Sequence, residues 1–293
     1  VGGGPAGLSA ALILGRCRRR VLVCDAGSPR NAASHALHGF LTRDGTPPLP
    51  LLRIGRRELA RYGVERRKTE IVAASRKAGR FIVRLKNGTE LTCRRLVLAT
   101  GVVDRLPRIE GMRELYGRSV FHCPYCDGWE VRDKPLAVYG WNKGAVGGGR
   151  ALSLKTWSED VVLCTDGRAR LTAEQKTKLS RNDVRLRKEP VLRLEAQRGV
   201  LRRIVFRRGR PIPCRALFFA TGQYQRSALA KGLGCEFNRK GTVKTNRFEE
   251  TAVRGLYCVG DASEDVQLVI VAAAEGAKAA FAVNKGLQKE DLK

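Results

Sequence analysis

The sequence predicts an α/β protein made of two related nucleotide-binding lobes, and three observations predict it. The chain opens on Gly2, Gly4 and Gly7 in G-x-G-x-x-G spacing, followed by an apolar helical stretch and a short apolar strand that ends in Asp25. A second strand-helix-strand pattern with its own glycine turn runs over 136–164. Two apolar runs, 95–101 and 216–222, close on the same Ala-Thr-Gly, an internal echo that implies related lobes.

In the opening pattern each residue has a physical reason. Gly2 makes the turn, Gly4 lets the backbone approach a pyrophosphate, and Gly7 lets helix and strand pack closely. Pro5 and Ala6 complete the turn, and the phosphates then meet the free N–H groups of the helix N-terminus. Asp25 is placed to accept hydrogen bonds from a ribose. Residues 30–50, broken by Gly39, Gly45 and Pro47, read as an ordered loop over this first nucleotide site. His38 in that loop is a candidate ligand contact, with a histidine bonded to loop backbone as the equal alternative. Residues 51–62 have helical spacing in Leu51, Leu52, Ile54 and Leu59. Residues 70–74, 81–86 and 90–93 form a small antiparallel unit turned at Asn87-Gly88. The strand 95–101 ends in Thr100-Gly101, where the chain can pass close to a cofactor.

The second pattern predicts a strand over 136–140, a helix over about 145–157 and a strand over 160–164. Here Asn142 stands where the second glycine belongs, with a Cβ and an amide where backbone should meet pyrophosphate. Thr165-Asp166, by position, favours NAD over NADP. Residues 183–188, 191–195 and 201–207 read as short strands of one sheet with a solvated, arginine-bearing face. The strand 255–259 runs into Gly260-Asp261, and a helix over 267–286 follows. An acid at that point can hold a ribityl hydroxyl while the helix N-terminus faces phosphate or a flavin carbonyl.

Between the lobes lies His122-Cys123-Pro124-Tyr125-Cys126-Asp127-Gly128. Two thiols at this spacing can close a small disulfide, and Pro124 restricts the chain between them. Asp127 is a candidate general acid for the proton that a thiolate gains or loses. Half of a zinc site is the competing reading, but no second Cys-x-x-C exists and His122 is the one further ligand nearby, so no metal is expected.

Composition narrows the class. The chain has 293 residues, 43% of them hydrophobic, enough for two cored domains. The apolar run 268–274 is far shorter than the roughly 18 residues that cross a bilayer. Nine cysteines, mostly single among apolar neighbours, suggest a reducing, cytoplasmic setting. The net charge of +28 favours anionic partners, yet the arginines are dispersed and no nucleic-acid motif accompanies them. Nucleic acid is therefore not expected as the main partner. A glycine turn of this kind ordinarily follows a strand, so the native chain is expected to begin before Val1, with any targeting signal there.

Taken in order, Gly2 to Gly7, Leu98 to Gly101, Cys123 to Gly128, Thr221-Gly222 and Gly260-Asp261-Ala262 resemble the low-molecular-weight thioredoxin reductase family. The likeness is nearest to its members with a Cys-Pro-Tyr-Cys-Asp-Gly centre, which include small-molecule dithiol oxidases. The resemblance implies two Rossmann-like, three-layer ββα domains, the second inserted into the first. An FAD domain comprises 1–105 and 223–293, and a central NAD(P)H-binding-like domain, 106–222, carries the cysteines. It implies FAD held at Gly4, Pro5, Ala6, Asp25, Thr100, Gly101, Asp261, Gln267 and Leu268. It also implies that Cys126 meets the flavin, that Cys123 attacks an outside disulfide, and that Asp127 donates the proton. A homodimer and a rotating central domain are implied too.

Family members that use NADPH carry an intact turn and a basic cluster for its 2′-phosphate. Here Asn142 and Thr165-Asp166 depart from both, with Arg168 and Arg170 as partial compensation. The expected electron donor is therefore ferredoxin or another reductant, an acidic partner suited to the basic surface. The expected acceptor is a thioredoxin-like disulfide protein or a small disulfide. Alternatives are an oxidase of small dithiols using oxygen, and a non-catalytic flavin-binding redox sensor.

Overall fold

The computed structural model describes residues 1–140, 145–168, 171–263 and 266–292, without the side chains of 145 and 146. Its chain divides into two compact units. The first comprises Val1–Ala32, Gly39–Val103 and Tyr224–Lys293, and the second Ala33–His38 and Asp104–Gln223. The sequence limits lie at 105/106 and 222/223.

The first unit is built on a parallel sheet. Leu22–Cys24 pairs with Glu65–Arg67, and Leu96–Leu98 with Leu256–Cys258. The backbone of Val1 and Gly2 joins these pairs: Gly2 N–H donates to Cys24 O at 2.8 Å, and Ala99 N–H donates to Val1 O at 2.8 Å. The strand period of two sorts the side chains onto two faces. Leu96, Leu98, Leu256 and Cys258 pack with Phe81, Val83 and Leu85 of the antiparallel strands Ile71–Lys77, Arg80–Leu85 and Glu90–Cys93. Val97, Ala99, Tyr257 and Val259 pack with Ala6, Ala10 and Leu14 of the helix Pro5–Arg16 and with Ala279, Ala280 and Val283 of the helix Val269–Asp291. This is a three-layer ββα arrangement. The second predicted helix forms over Pro48–Ala60, its prolines in the first turn where a missing N–H costs little.

The second unit repeats the plan. Its five-stranded parallel sheet has the order Arg185–Arg187, Val161–Cys164, Leu136–Tyr139, Ala216–Phe219, Val120–Phe121. Leu136, Val138, Leu163 and Phe218 face Ala151 and Leu154 of the helix Ala145–Leu154. Ala137, Tyr139, Val162 and Leu217 face Leu194, Leu201, Ile204 and Phe206 of an antiparallel sheet.

Two expectations are corrected here. Residues 183–188 do not join 191–195 and 201–207 in one sheet. Arg185–Arg187 pairs parallel with Val161–Cys164, whereas Val191–Gln197 pairs antiparallel with Val200–Phe206. The reason is the intervening helix Ala173–Arg181, capped by Thr172 and Gln175, which supplies the crossover a parallel pair needs. The helix over 145–157 ends at Leu154 and continues as tight turns, with Trp157 N–H on Leu154 O at 2.9 Å. The readings of Asn142 and Arg170 lie outside the described residues.

Candidate active site

The second unit holds the dithiol. Cys123 and Cys126 are joined in a disulfide, and the intervening residues start the one-turn helix Pro124–Asp127, with Cys123 as its cap. The Cys126 N–H donates to Cys123 Sγ at 3.1 Å. His122, just before the pair, is fixed by its carbonyl, which accepts from the Arg150 guanidinium; the same Nη1 donates to Phe219 O at 2.9 Å. Gly128 closes the turn against Trp157: a Cβ there would lie 2.5 Å from Pro124 O and 2.8 Å from the indole. No larger residue fits behind the disulfide.

Asp127 follows Cys126 directly. Burial pushes its carboxyl up to about 7, the Glu130 carboxylate adds to the rise, and His38 opposes it. It therefore holds a proton near neutrality, the state a general acid needs. Tyr125 and Trp129, two residues before and two after this acid in the chain, are exposed. Among the described residues no group of three or more His, Cys, Asp or Glu converges to hold a metal.

The first unit holds the glycine turn. Gly2 has φ +101, and a Cβ on it would lie 2.2 Å from Ala99 O. A Cβ on Gly7 would lie 2.0 Å from Gly2 O. Both glycines are thus required by the protein's own backbone. Gly4 is not: a Cβ there meets nothing within 4 Å, so the space above the turn is open. Gly4 also caps the helix Pro5–Arg16, and no side chain takes its first N–H groups. An open, donor-lined cradle of this kind fits a pyrophosphate, and so fits FAD. Against Gly3, where a Cβ would lie 2.4 Å from its Oδ2, Asp25 accepts from Gly27 N–H at 3.0 Å and pairs with Arg56 at 3.1 Å. Thr100 and Gly101 follow the strand Leu96–Leu98 at the same end of the sheet as Gly2.

Gly260 N–H donates to the buried Glu275 at 2.6 Å, which sets Asp261 ahead of the helix Val269–Asp291. Leu268 caps that helix without a side-chain bond. Asp261 and Gln267 are tied to each other by Arg30, whose Nη1 donates to them at 2.8 and 2.6 Å. Sequence reasoning missed Arg30, a loop residue with no motif around it. It also missed Arg150, whose signal was a single charge within an apolar helix.

Two further residues differ from expectation. His38 does not lie in a loop of the first unit; the segment Ala33–His38 belongs to the second, and its Nε2 is 3.5 Å from Glu130 Oε1. Asp166 does not present a free carboxylate to a ribose. Its Oδ1 accepts from Val191 N–H at 2.9 Å, its Oδ2 is 3.3 Å from Arg168, and it bonds the Tyr139 hydroxyl.

Two nucleotide-type units, one with an open glycine cradle and the other with a Cys-x-x-Cys disulfide followed by an acid whose carboxyl burial pushes up to about 7, define a flavin-dependent disulfide oxidoreductase. The chain belongs to the pyridine nucleotide-disulphide oxidoreductase family, which it matches over residues 1–276. It is 33% identical over 276 residues to the thioredoxin reductase tcpT of Claviceps purpurea, covering 89% of this chain and 84% of that protein. A shorter match to an Arthroderma benhamiae relative, 38% identical over 174 residues, spans 57% of this chain and 43% of that one. The crystal structure of HlmI superposes with a TM-score of 0.95 at 41% identity, covering 99% of this chain and 92% of HlmI. A Bacillus anthracis structure assigned as thioredoxin reductase TrxB gives 0.92 at 33% identity, covering 99% and 97%. The protein is a thioredoxin reductase-type FAD flavoprotein, a disulfide reductase.

Proposed function

We propose that this flavoprotein reduces a thioredoxin-like disulfide through Cys123 and Cys126, with Asp127 as proton donor. The observation that carries the reading is the Cys123–Cys126 disulfide followed at once in the chain by Asp127, whose carboxyl burial pushes up to about 7. Gly4, Pro5, Ala6, Asp25, Thr100, Gly101, Asp261, Gln267 and Leu268 hold FAD, which when bound supplies the two-electron link between donor and disulfide. Cys126 is the sulfur on the flavin side and Cys123 the one that meets the substrate.

Two electrons open the Cys123–Cys126 bond. The Cys123 thiolate, favoured by the Cys126 N–H, attacks one sulfur of the outside disulfide. The other sulfur leaves and takes the proton of the Asp127 carboxyl. Cys126, which takes up a proton from solvent when the internal bond opens, then attacks Cys123 in the mixed disulfide, re-forms the internal bond and gives that proton to the second sulfur as it leaves as a thiol. The sum is one disulfide, two electrons and two protons converted to a dithiol.

The donor is a reductant other than NADPH, with ferredoxin as the class. Support comes from Asn142 in the sequence and from Asp166, whose carboxylate is engaged by Val191, Arg168 and Tyr139. The +28 charge suits an acidic donor or thioredoxin. A homodimer follows from the family resemblance. A cytoplasmic setting is supported by the seven cysteines left free outside the pair; no helix among the described residues is long and apolar enough to cross a membrane. The test is anaerobic mixing of the yellow protein with NADPH, NADH or reduced ferredoxin. Bleaching by ferredoxin, followed by thioredoxin reduction, is expected. Rapid bleaching by micromolar NADPH overturns the donor assignment, and dithiol-driven oxygen consumption without thioredoxin reduction overturns the direction.

A further inference from the structure

Within the second unit, two stretches far apart in sequence bring three acid-base groups together. Gly117, at φ +77, admits the segment Ala33–His38: a Cβ on it would lie 2.6 Å from the Ala33 carbonyl carbon and 2.9 Å from Ser34 N. The segment thereby carries His38 to Glu130, Nε2 to Oε1 at 3.5 Å. Glu130 lies in the 3₁₀ turn Trp129–Val131 that continues the helix Pro124–Asp127, three residues beyond Asp127. Residues three apart in such turns share one face, so Asp127 and Glu130 are neighbours. The side chains of His38 and Glu130 are 23% and 39% exposed, which connects the buried acid to solvent.

We propose that Glu130 and His38 are positioning residues for the Asp127 proton, a carboxylate and an imidazole that set its protonation and return the proton after each transfer. The inference rests on Asp127 being the proton donor. In the transfer, the Asp127 carboxyl gives its proton to the departing thiolate. The resulting carboxylate regains one from solvent water by way of the Glu130 and His38 side chains; no electrons move in this return.

The two partners act on Asp127 in opposite senses. Glu130 makes its ionisation harder, and His38 makes it easier. Three other ionisable groups, His122, Asp104 and Arg132, lie on neighbouring elements. His122 Nδ1 stands 3.9 Å from Asp104 Oδ2, which also accepts from the Tyr116 hydroxyl at 2.6 Å. The Arg132 guanidinium lies over the Trp129 ring at 3.9 Å. The perturbation of Asp127 comes from burial, Glu130 and His38.

The experiment is single-turnover oxidation of the reduced holoenzyme by lipoamide disulfide across pH, in Glu130→Gln, His38→Gln and Asp127→Asn. Carboxyl-carbon NMR of Asp127 in the same proteins gives a second readout. A general acid loses rate as pH rises through its pKa. In Glu130→Gln the fall should move down by on the order of one pH unit, and in His38→Gln it should move up. The NMR midpoint should follow both. Limbs that stay fixed, or that move in one direction in both variants with flavin retained, overturn the coupling. A limb that persists unchanged in Asp127→Asn overturns the donor reading itself, a separate failure.

Discussion

The backbone N–H of Cys126 points at Cys123 Sγ from 3.1 Å. While the sulfurs are bonded to each other this contact is weak. Once the pair is reduced it becomes a charge-assisted bond to a thiolate, and it favours the charge on Cys123 over Cys126. The two sulfurs therefore differ in chemistry before any partner arrives.

From this asymmetry, Cys123→Ser should lower disulfide reduction by about a thousandfold or more, because the nucleophile is gone. Cys126→Ser should instead accumulate a mixed disulfide between Cys123 and the partner, since the resolving thiol is missing. Both variants should stay yellow, because the cradle around Gly4 is built from residues of the first unit and both cysteines belong to the second. Non-reducing electrophoresis with thioredoxin separates the two outcomes. A trapped adduct in Cys123→Ser and none in Cys126→Ser would reverse the assignment.

Asp127 also leaves a mark on stability. An aspartate in the unfolded chain titrates near 3.8, and in the fold near about 7. Below both values the proton is present in either state, and the raised pKa contributes its full stabilisation. Between them the unfolded chain ionises while the fold keeps the proton, so stability falls as pH rises. Above about 7 the contribution is lost. Asp127→Asn removes this dependence. The melting temperature of the variant relative to the parent should rise from about pH 4 to about 7 and then level off. A constant difference across that window would mean that the carboxyl is not buried as described.

The glycine cradle predicts a contrast between neighbours. Gly4 has ordinary extended backbone, φ −77 and ψ −177, and open space at its Cβ position. Gly4→Val should fold and lose FAD affinity by at least about tenfold, since the added carbons enter the cofactor's space. Gly7→Ala should fail to fold, its Cβ falling 2.0 Å from Gly2 O. Circular dichroism and FAD titration of the apo-protein distinguish the cases. Unchanged FAD binding in Gly4→Val would move the cofactor elsewhere.

Much of the fold was readable because its central parallel strands are short apolar runs covered on both sides. Leu96 and Leu98 face one layer while Val97 and Ala99 face the other, so the run that marked 95–101 as a buried strand is apolar at successive positions. The helix Ala173–Arg181 escaped because Leu179 is its one described buried residue; its signal was the capping pair Thr172 and Gln175. Around the dithiol, Cys123, Cys126 and Asp127 are consecutive or nearly so, and their proximity needed no fold. His38 could not be placed, since a loop's sequence does not say which body it packs on. Gly117, far along the chain, decides that. Arg30 was hidden for the same reason, its partners Asp261 and Gln267 lying more than 230 residues away.

Asp166 illustrates a residue in the expected position whose chemistry is used otherwise. An acid at the end of the second strand of a nucleotide unit ordinarily accepts from a ribose. Here it sits in a left-handed backbone conformation, φ +55, its side chain 9% exposed. It accepts from Val191 N–H at 2.9 Å across 25 residues of chain. That bond joins the end of the strand Val161–Cys164 to the start of the strand Val191–Gln197. Burial and this carboxylate together push the Tyr139 phenol up, which keeps its hydroxyl protonated as a donor. Replacing the acid with alanine leaves the Val191 N–H and the Tyr139 hydroxyl without their acceptor. Asp166→Ala should therefore destabilise the fold by about 1–3 kcal/mol in urea unfolding. It should leave the relative response to NADH and NADPH unchanged, because the carboxylate serves the protein. Stability equal to the parent, together with a change in nicotinamide preference, would return Asp166 to the ribose and reopen the nicotinamide as donor.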